Sequence, residues 1–338
     1  MRHANIPIFI ADRGCPHRCA FCNQKKITGV GADITPSAVK AEIDAALHTL
    51  GMERKTEIAF FGGSFSGLEA KEQEAFLSVA HAYVKAGQVS GIRLSTRPDL
   101  IDEETLNRFC KYGVSAVELG AQSMDDGVLQ ANLRGHSADD TRRAAEKIQK
   151  RGISLGLQMM IGLKGDTKEK SICSAGEMIA LKPETIRIYP AVVLRETLLS
   201  TWYEKGEYTP LTVEEAVDWC CAIKPLFLEA GVNVLRVGLM ASDSLLGGEI
   251  VAGPFHSAFG ELVDSERMLR RARAILGEME CKEKMVYIFV AERAVSRMIG
   301  NRRENVKKLC AELGLKELRV CAKQGLSEEE MEVVVHSI

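Results

Sequence analysis

Three cysteines stand within eight residues near the start of the chain, in Cys15-Pro16-His17-Arg18-Cys19-Ala20-Phe21-Cys22, a C-x3-C-x2-C spacing. The other seven, at 110, 173, 220, 221, 281, 310 and 321, show no CxxC or other cluster spacing. A structural zinc asks for four ligands, so the triplet would need a remote fourth or a histidine, and His17 points the wrong way if the loop wraps the metal. A [4Fe-4S] cluster with one iron left open needs three, and soft thiolates suit iron-sulfur chemistry. The open iron is then a position where a substrate or cofactor binds. The competing reading is a set of buried small hydrophobes or a partial zinc knuckle; position after a strand, with glycines downstream, favours the cluster. The remaining cysteines read mostly as small buried hydrophobes.

A loop of this kind needs a scaffold. Short β-branched or apolar runs alternate with amphipathic helical stretches through the first two thirds of the chain, the pattern of βα units and a parallel sheet. Six strands are expected, at Ile8 to Ala11, Glu57 to Phe61, Ile92 to Ser95, Ala116 to Leu119, Leu155 to Ile161 and Thr185 to Tyr189. Between them, Thr35-Pro36 supplies an N-cap and a first-turn proline before the stretch to Leu50, and Asp102 opens a helix closing at Gly113. Six such units buried on both faces predict an α/β fold, an open partial (β/α)6 barrel, whose chemistry gathers at the C-terminal ends of its strands. Five of the six ends fit: the cysteine loop, Gly62-Gly63-Ser64, Thr96-Arg97, Gly120-Ala121-Gln122-Ser123 and Gly162-Leu163-Lys164-Gly165.

These residues carry a family resemblance. Cys15-x3-Cys19-x2-Cys22 with Phe21 before the third cysteine resembles the signature of radical S-adenosylmethionine (radical SAM) enzymes, and Gly62-Gly63-Ser64-Phe65 resembles their glycine motif after the second strand. Cys15 to Gln24, Phe61 to Phe65, Ser95 to Asp99 and Arg134-Gly135-His136 are most similar to the radical SAM part of the elongator catalytic subunit, whose acetyltransferase domain is expected to be absent here. Oxygen-independent coproporphyrinogen III oxidase is a more distant likeness. The resemblance spans roughly residues 5 to 200. It implies a partial barrel of the radical SAM type and an enzyme with two cofactors, a [4Fe-4S] cluster held by Cys15, Cys19 and Cys22, and SAM on the fourth iron. One electron into such a cluster cleaves SAM to a 5′-deoxyadenosyl radical, and the protein's part is orientation and exclusion of water and oxygen.

The resemblance also assigns SAM contacts. Gly62 and Gly63 offer backbone that approaches the methionine ammonium closely. Gln122 occupies the ribose position, with Ser123 able to bond the same sugar. Arg134 matches the arginine that pairs with the SAM carboxylate, a fork suited to bidentate recognition. Gln158 stands where a relative has an acidic ribose contact, and Met160, Ile161 and Gly162 are expected to form the adenine ledge. Ser95 to Asp99, Tyr189-Pro190 and Arg195-Glu196-Thr197 are candidates for the substrate side, against a bland reading as helix cap and surface ion pairs. With no second set of clustered thiols, methylthiotransferases and maturases with auxiliary clusters are disfavoured.

The 338-residue chain has 46% hydrophobic residues and 44 Lys plus Arg against 46 Asp plus Glu, a net charge of -2, which excludes disorder as the main state. Absence of an 18-residue apolar run or an apolar leader predicts a cytoplasmic protein without a membrane partner. The charge is uneven: residues 286 to 325 hold nine Lys plus Arg against four Glu. We expect a radical SAM core with its C-terminal extension over 1–260, a connecting helix over 261–280 and a small basic α/β unit over 281–338. Strand, helix, turn, helix and strand follow one another there, and the order resembles a minimal KH module, whose GxxG loop clamps a nucleic-acid backbone. Here the turn is Gly300-Asn301-Arg302-Arg303, with Lys307 and Lys308 on the next helix. Arg303 replaces the second glycine and adds a charge for phosphate. The expected function is a radical SAM enzyme acting on RNA, most readily tRNA, reduced by a donor such as flavodoxin or ferredoxin. The alternatives are action on a small molecule such as a tetrapyrrole, or a non-catalytic regulator that holds cluster and SAM without turnover.

Overall fold

A computed structural model of the chain describes residues 3–10, 13–28, 34–49, 55–243 and 245–336. The chain divides into two compact units, Met1–Ser257 and Ala258–Ile338, inside the glycine-rich stretch 247–260.

In the first unit seven strands form one parallel sheet in sequential order. They are β1 (His3–Phe9), β2 (Lys55–Phe61), β3 (Gly91–Thr96), β4 (Val114–Gln122), β5 (Ser154–Ile161), β6 (Thr185–Pro190) and β7 (Asn233–Val237). The expected half-barrel is thus present with one strand more. β7 escaped the sequence reading because most of it is exposed and carries no inward apolar pattern; pairing with Thr185–Ile188 of β6 makes it a strand. β1 also starts earlier than the expected Ile8, and Ala11 lies outside the described residues. Its polar first half becomes strand by pairing in register from His3↔Lys55 to Phe9↔Phe61. Pro7 is tolerated because β1 is an edge strand, where a missing N–H costs no ladder bond.

The helical signals act as expected. Thr35 Oγ1 accepts from the Ala38 N–H at 3.2 Å ahead of Pro36–Thr49, and the Asp102 carboxylate accepts from the Thr105 N–H at 2.7 Å ahead of Glu103–Lys111. Behind the sheet, Phe60, Phe65, Phe76 and Phe109 pack with ring centroids 5.0–6.2 Å apart. Phe65 is fully buried, so the Gly62-Gly63-Ser64 turn is tethered to the core by the residue that follows it.

The second unit is a three-stranded mixed sheet with β8 (Met285–Val290) in the middle, β9 (Glu317–Ala322) parallel to it and β10 (Met331–His336) antiparallel. β10 lies beyond the strand, helix, turn, helix and strand expected from the sequence. The expected helices and turn run Val295–Ile299, Gly300 to Arg303 and Glu304–Leu313. The helix Phe259–Gly277 belongs to this unit rather than bridging to it: Leu269 and Leu276 share a core with Val286, Ile288, Met298 and Leu309. No described helix is long and apolar enough to cross a membrane.

Candidate functional site

The loop after β1 carries the three cysteines, and it packs backbone to backbone on the turn after β2. A Cβ on Gly14 would collide with the Ser64 carbonyl, and one on Gly67 with the Gly14 carbonyl. A Cβ on Gly63 would come within 2.5 Å of the carbonyls of Ile10 and Arg13. The glycines here therefore serve close packing between two loops, a need that spacing alone did not disclose for Gly14 and Gly67. The Ser64 N–H donates to the Arg13 carbonyl at 3.0 Å, and the Ser64 hydroxyl lies 3.2 Å from Cys15 Sγ.

Each cysteine has its own surroundings. Cys15 is exposed, Cys22 half-buried beside the Gln24 amide at 3.5 Å, and Cys19 buried. Two guanidinium groups meet Cys19 Sγ, Arg134 Nη1 at 3.1 Å and Arg97 Nη1 at 3.8 Å. Burial, together with the nearby Cys19 and Cys15, pushes the Cys22 thiol up to about 12. Thiols that oppose one another's ionisation in this way are relieved by a bound cationic centre, which deprotonates its ligands. Among the described residues no three His, Cys, Asp or Glu side chains converge as a single-ion site. A cubane cluster instead asks each thiolate for its own iron.

Gln122 ends β4 in a left-handed conformation, φ 65°, after a register shift between Leu119 and Gln122. A side chain on Gly120 would press on Arg134 Nη2 at 2.9 Å and Gln122 Nε2 at 3.1 Å, so the bulge and the glycine together make room for both. The buried Gln122 Oε1 and Arg134 Nε have no hydrogen-bond partner among the described residues. Orphaned buried polar atoms are costly unless a ligand satisfies them, and these two suit a sugar hydroxyl and a carboxylate. The residues present thus fit a three-thiolate cluster and SAM.

Other expected contacts are already engaged. Ser123 Oγ lies 3.3 Å from Ser174 Oγ and accepts from the Asp125 N–H at 3.1 Å. Gly162 donates its N–H to Asp166 at 2.9 Å and its carbonyl accepts from Tyr208 Oη at 2.6 Å. The Ile161 side chain is fully buried and its carbonyl accepts from the Ala191 N–H. Met160, one residue earlier and on the opposite face of β5, is half-buried against the cluster of side chains containing Cys19, Phe21 and Cys22.

Gln158 belongs to a buried charge network that the sequence reading missed. Its amide donates to Ser95 Oγ at 3.1 Å and Glu118 Oε2 at 3.3 Å. Glu118, 1% exposed, also takes Arg187 Nε at 2.7 Å and Arg93 Nη1 at 3.2 Å, and Arg93 reaches Glu57 at 3.0 Å. Burial alone would raise the Glu118 carboxyl, but Arg187 and Arg93 hold it below the ordinary carboxylate range. A signal was available: Glu57, Arg93, Glu118, Gln158 and Arg187 are charged or amide residues that interrupt the apolar runs of five successive strands, all on one face. Of the histidines, His136 is buried, bonds the Ala121 carbonyl through Nε2 at 3.2 Å, and is pushed down to about 4 by burial, Arg134 and Arg97.

In the second unit, Gly300 (φ 75°, ψ 166°) takes a conformation open only to glycine, and a Cβ there would press on Asn305 at 2.9–3.0 Å. Asn305 in turn donates to Ser265 and to the Arg297 carbonyl, which pins the turn from below. Arg302 (φ 48°) and Arg303 (φ 62°) are both left-handed and exposed. The basic patch is smaller than its composition suggests: Arg293, Arg297, Lys308, Arg319 and Lys323 pair with glutamates. Arg302, Arg303 and Lys307 have no ion-pair partner among the described residues.

A sequential parallel half-barrel with a three-cysteine loop after its first strand defines an iron-sulfur enzyme scaffold, and family models agree. The Radical SAM superfamily model matches residues 10–172 and the Radical_SAM C-terminal domain model residues 183–270, together most of the chain. The chain belongs to the radical SAM superfamily, whose cofactors are a [4Fe-4S] cluster and SAM. It is similar to the tRNA uridine(34) acetyltransferase of Methanocaldococcus jannaschii, 25% identical over 77% of this chain and 54% of that protein. It also resembles Elongator complex protein 3 of Schizosaccharomyces pombe, 26% identical over 51% of this chain and 35% of that one. Among solved structures, the archaeal Methanocaldococcus infernus Elp3 with an N-terminal deletion shares the fold at a TM-score of 0.64 and 22% identity, over 82% of this chain and 65% of that chain. The chain spans about half the length of the tRNA uridine(34) acetyltransferase it matches.

Proposed function

We propose that this protein is a radical SAM enzyme that modifies RNA, with tRNA as the substrate class. When bound, the reduced cluster and SAM supply a 5′-deoxyadenosyl radical for hydrogen abstraction. The chain's own residues do the rest. Cys15, Cys19 and Cys22 hold the irons, and the buried Arg134 Nε and Gln122 Oε1, without a partner among the described residues, are offered to SAM. The observation that carries the RNA part is the similarity to a tRNA uridine(34) acetyltransferase over 77% of the chain. Arg302, Arg303 and Lys307, beside a glycine turn and without an ion-pair partner among the described residues, support it, since phosphate recognition needs uncommitted positive charge. The electron would come from a low-potential protein donor of the flavodoxin or ferredoxin type.

The test is anaerobic reconstitution with iron, sulfide, dithionite and SAM. Release of 5′-deoxyadenosine by the native chain and its loss in Cys15→Ala is the expected result; cleavage that survives Cys15→Ala refutes the cluster assignment. Binding to tRNA should fall steeply with salt and weaken in a double change of Arg302 and Arg303 to Glu. No binding at low salt would sink the RNA reading and leave a small-molecule substrate.

A further inference from the structure

The two guanidinium groups at Cys19 are differently placed. Arg134 keeps its Nε without a hydrogen-bond partner among the described residues. Arg97 is 2% exposed and nearly spent: Nε and Nη2 donate to the Asp99 carboxylate at 2.9 and 3.1 Å, and Nη2 also to the Arg134 carbonyl. What remains is Nη1, 3.8 Å from Cys19 Sγ. A guanidinium so committed has little left for a substrate, which was the role its position at the end of β3 suggested. Cys15 and Cys22, by contrast, are hydrogen-bonded to the neutral Ser64 hydroxyl and Gln24 amide, and among the described residues no guanidinium is hydrogen-bonded to either sulfur. Positive charge is therefore concentrated on one of the three sulfurs, in a buried setting where water screens it poorly.

We propose that Arg97 is a positioning residue that sets the reduction potential of the cluster through the Cys19 sulfur, and that Asp99 opposes it. The inference rests on the cluster reading of Cys15, Cys19 and Cys22. Reduction adds one negative charge to the cluster, and hydrogen bonds or positive charge at its sulfurs favour that state and raise the potential. Asp99, 19% exposed, cancels part of the Arg97 field. The two side chains should then act with opposite sign, which a role in folding alone would not produce.

The experiment reconstitutes the full chain, Arg97→Gln and Asp99→Asn, measures iron and sulfide per chain, and titrates each with dithionite and mediators while following the electron paramagnetic resonance signal of the reduced cluster. Arg97→Gln should shift the midpoint to more negative potential and Asp99→Asn to more positive potential, at equal iron content. Unchanged midpoints, or two shifts in one direction, overturn the proposal. If Arg97→Gln takes up no iron, Asp99→Asn decides the matter by the sign of its shift. A native chain that takes up no iron defeats the cluster reading itself, and the iron analysis reports that separately from any shift in potential.

Discussion

Arg303 stands where a GxxG loop would have its second glycine, and its backbone adopts the left-handed conformation anyway, with φ 62° and ψ 30°. Holding an L-residue there costs roughly 1–2 kcal/mol. Exposed and without an ion-pair partner among the described residues, the side chain itself contributes little to folding. Arg303→Ala removes the guanidinium and keeps the strain, while Arg303→Gly removes both and gives back roughly 0.5–1 kcal/mol through the unfolded chain's entropy. The Gly variant should be more stable than the Ala variant by about 1 kcal/mol, and Ala close to the native chain. Both tryptophans, Trp202 and Trp219, lie in the first unit, so fluorescence would not follow this change. Amide hydrogen exchange in β8 would: about 1 kcal/mol is roughly fivefold slower exchange in the Gly variant. On tRNA the order reverses in meaning, because both variants lose one phosphate contact and the salt slope of each should fall by about 0.7–0.9. Exchange in the Gly variant as fast as in the Ala variant would refute the backbone argument. Affinity lost in Ala but kept in Gly would show that close backbone approach, rather than the guanidinium, makes the contact.

Three further outcomes follow from the first unit. Glu118→Gln leaves Arg93 and Arg187 buried without their shared carboxylate and should destabilise by about 3–5 kcal/mol in urea unfolding at neutral pH; a loss under 1 kcal/mol would mean the network is open to water. His136, whose folded value near 4 lies below the ordinary 6.5, stabilises fully above 6.5 and loses that contribution as pH falls towards 4. At pH 5 the native chain should therefore have lost about 2 kcal/mol more than His136→Asn, relative to pH 7, and parallel pH curves would contradict the burial argument. Gly63→Ala drives a methyl into the Ile10 and Arg13 carbonyls, so iron uptake on reconstitution should drop along with SAM binding; full iron content with weakened SAM affinity would show that the glycine serves the ligand alone.

Much of the fold and the centre of the site were legible in the residues. Cysteine spacing and the polar or glycine-rich ends of five of the six apolar runs are local features, and local features survive folding: the cysteine loop does follow β1, and Gly62-Gly63 does follow β2. Helix starts at Thr35 and Asp102 were readable because an N-cap satisfies its own first turn. Other features are set by pairing across long separations. β1 begins at His3 because β2 offers a ladder 52 residues away, and β7 exists because β6 leaves an edge open. The same holds for charge. Nothing in Ser95 to Asp99 says that Arg97 turns to Cys19, 78 residues earlier, rather than to a substrate, and nothing in the composition of residues 286 to 325 says that five of nine cations are spent on glutamates. The sequence by itself determined which chemistry is available, through three thiolates and a glycine turn. Only the tertiary structure decided which side chains remain free to use it, because a buried donor bonds whatever acceptor the packing brings within reach.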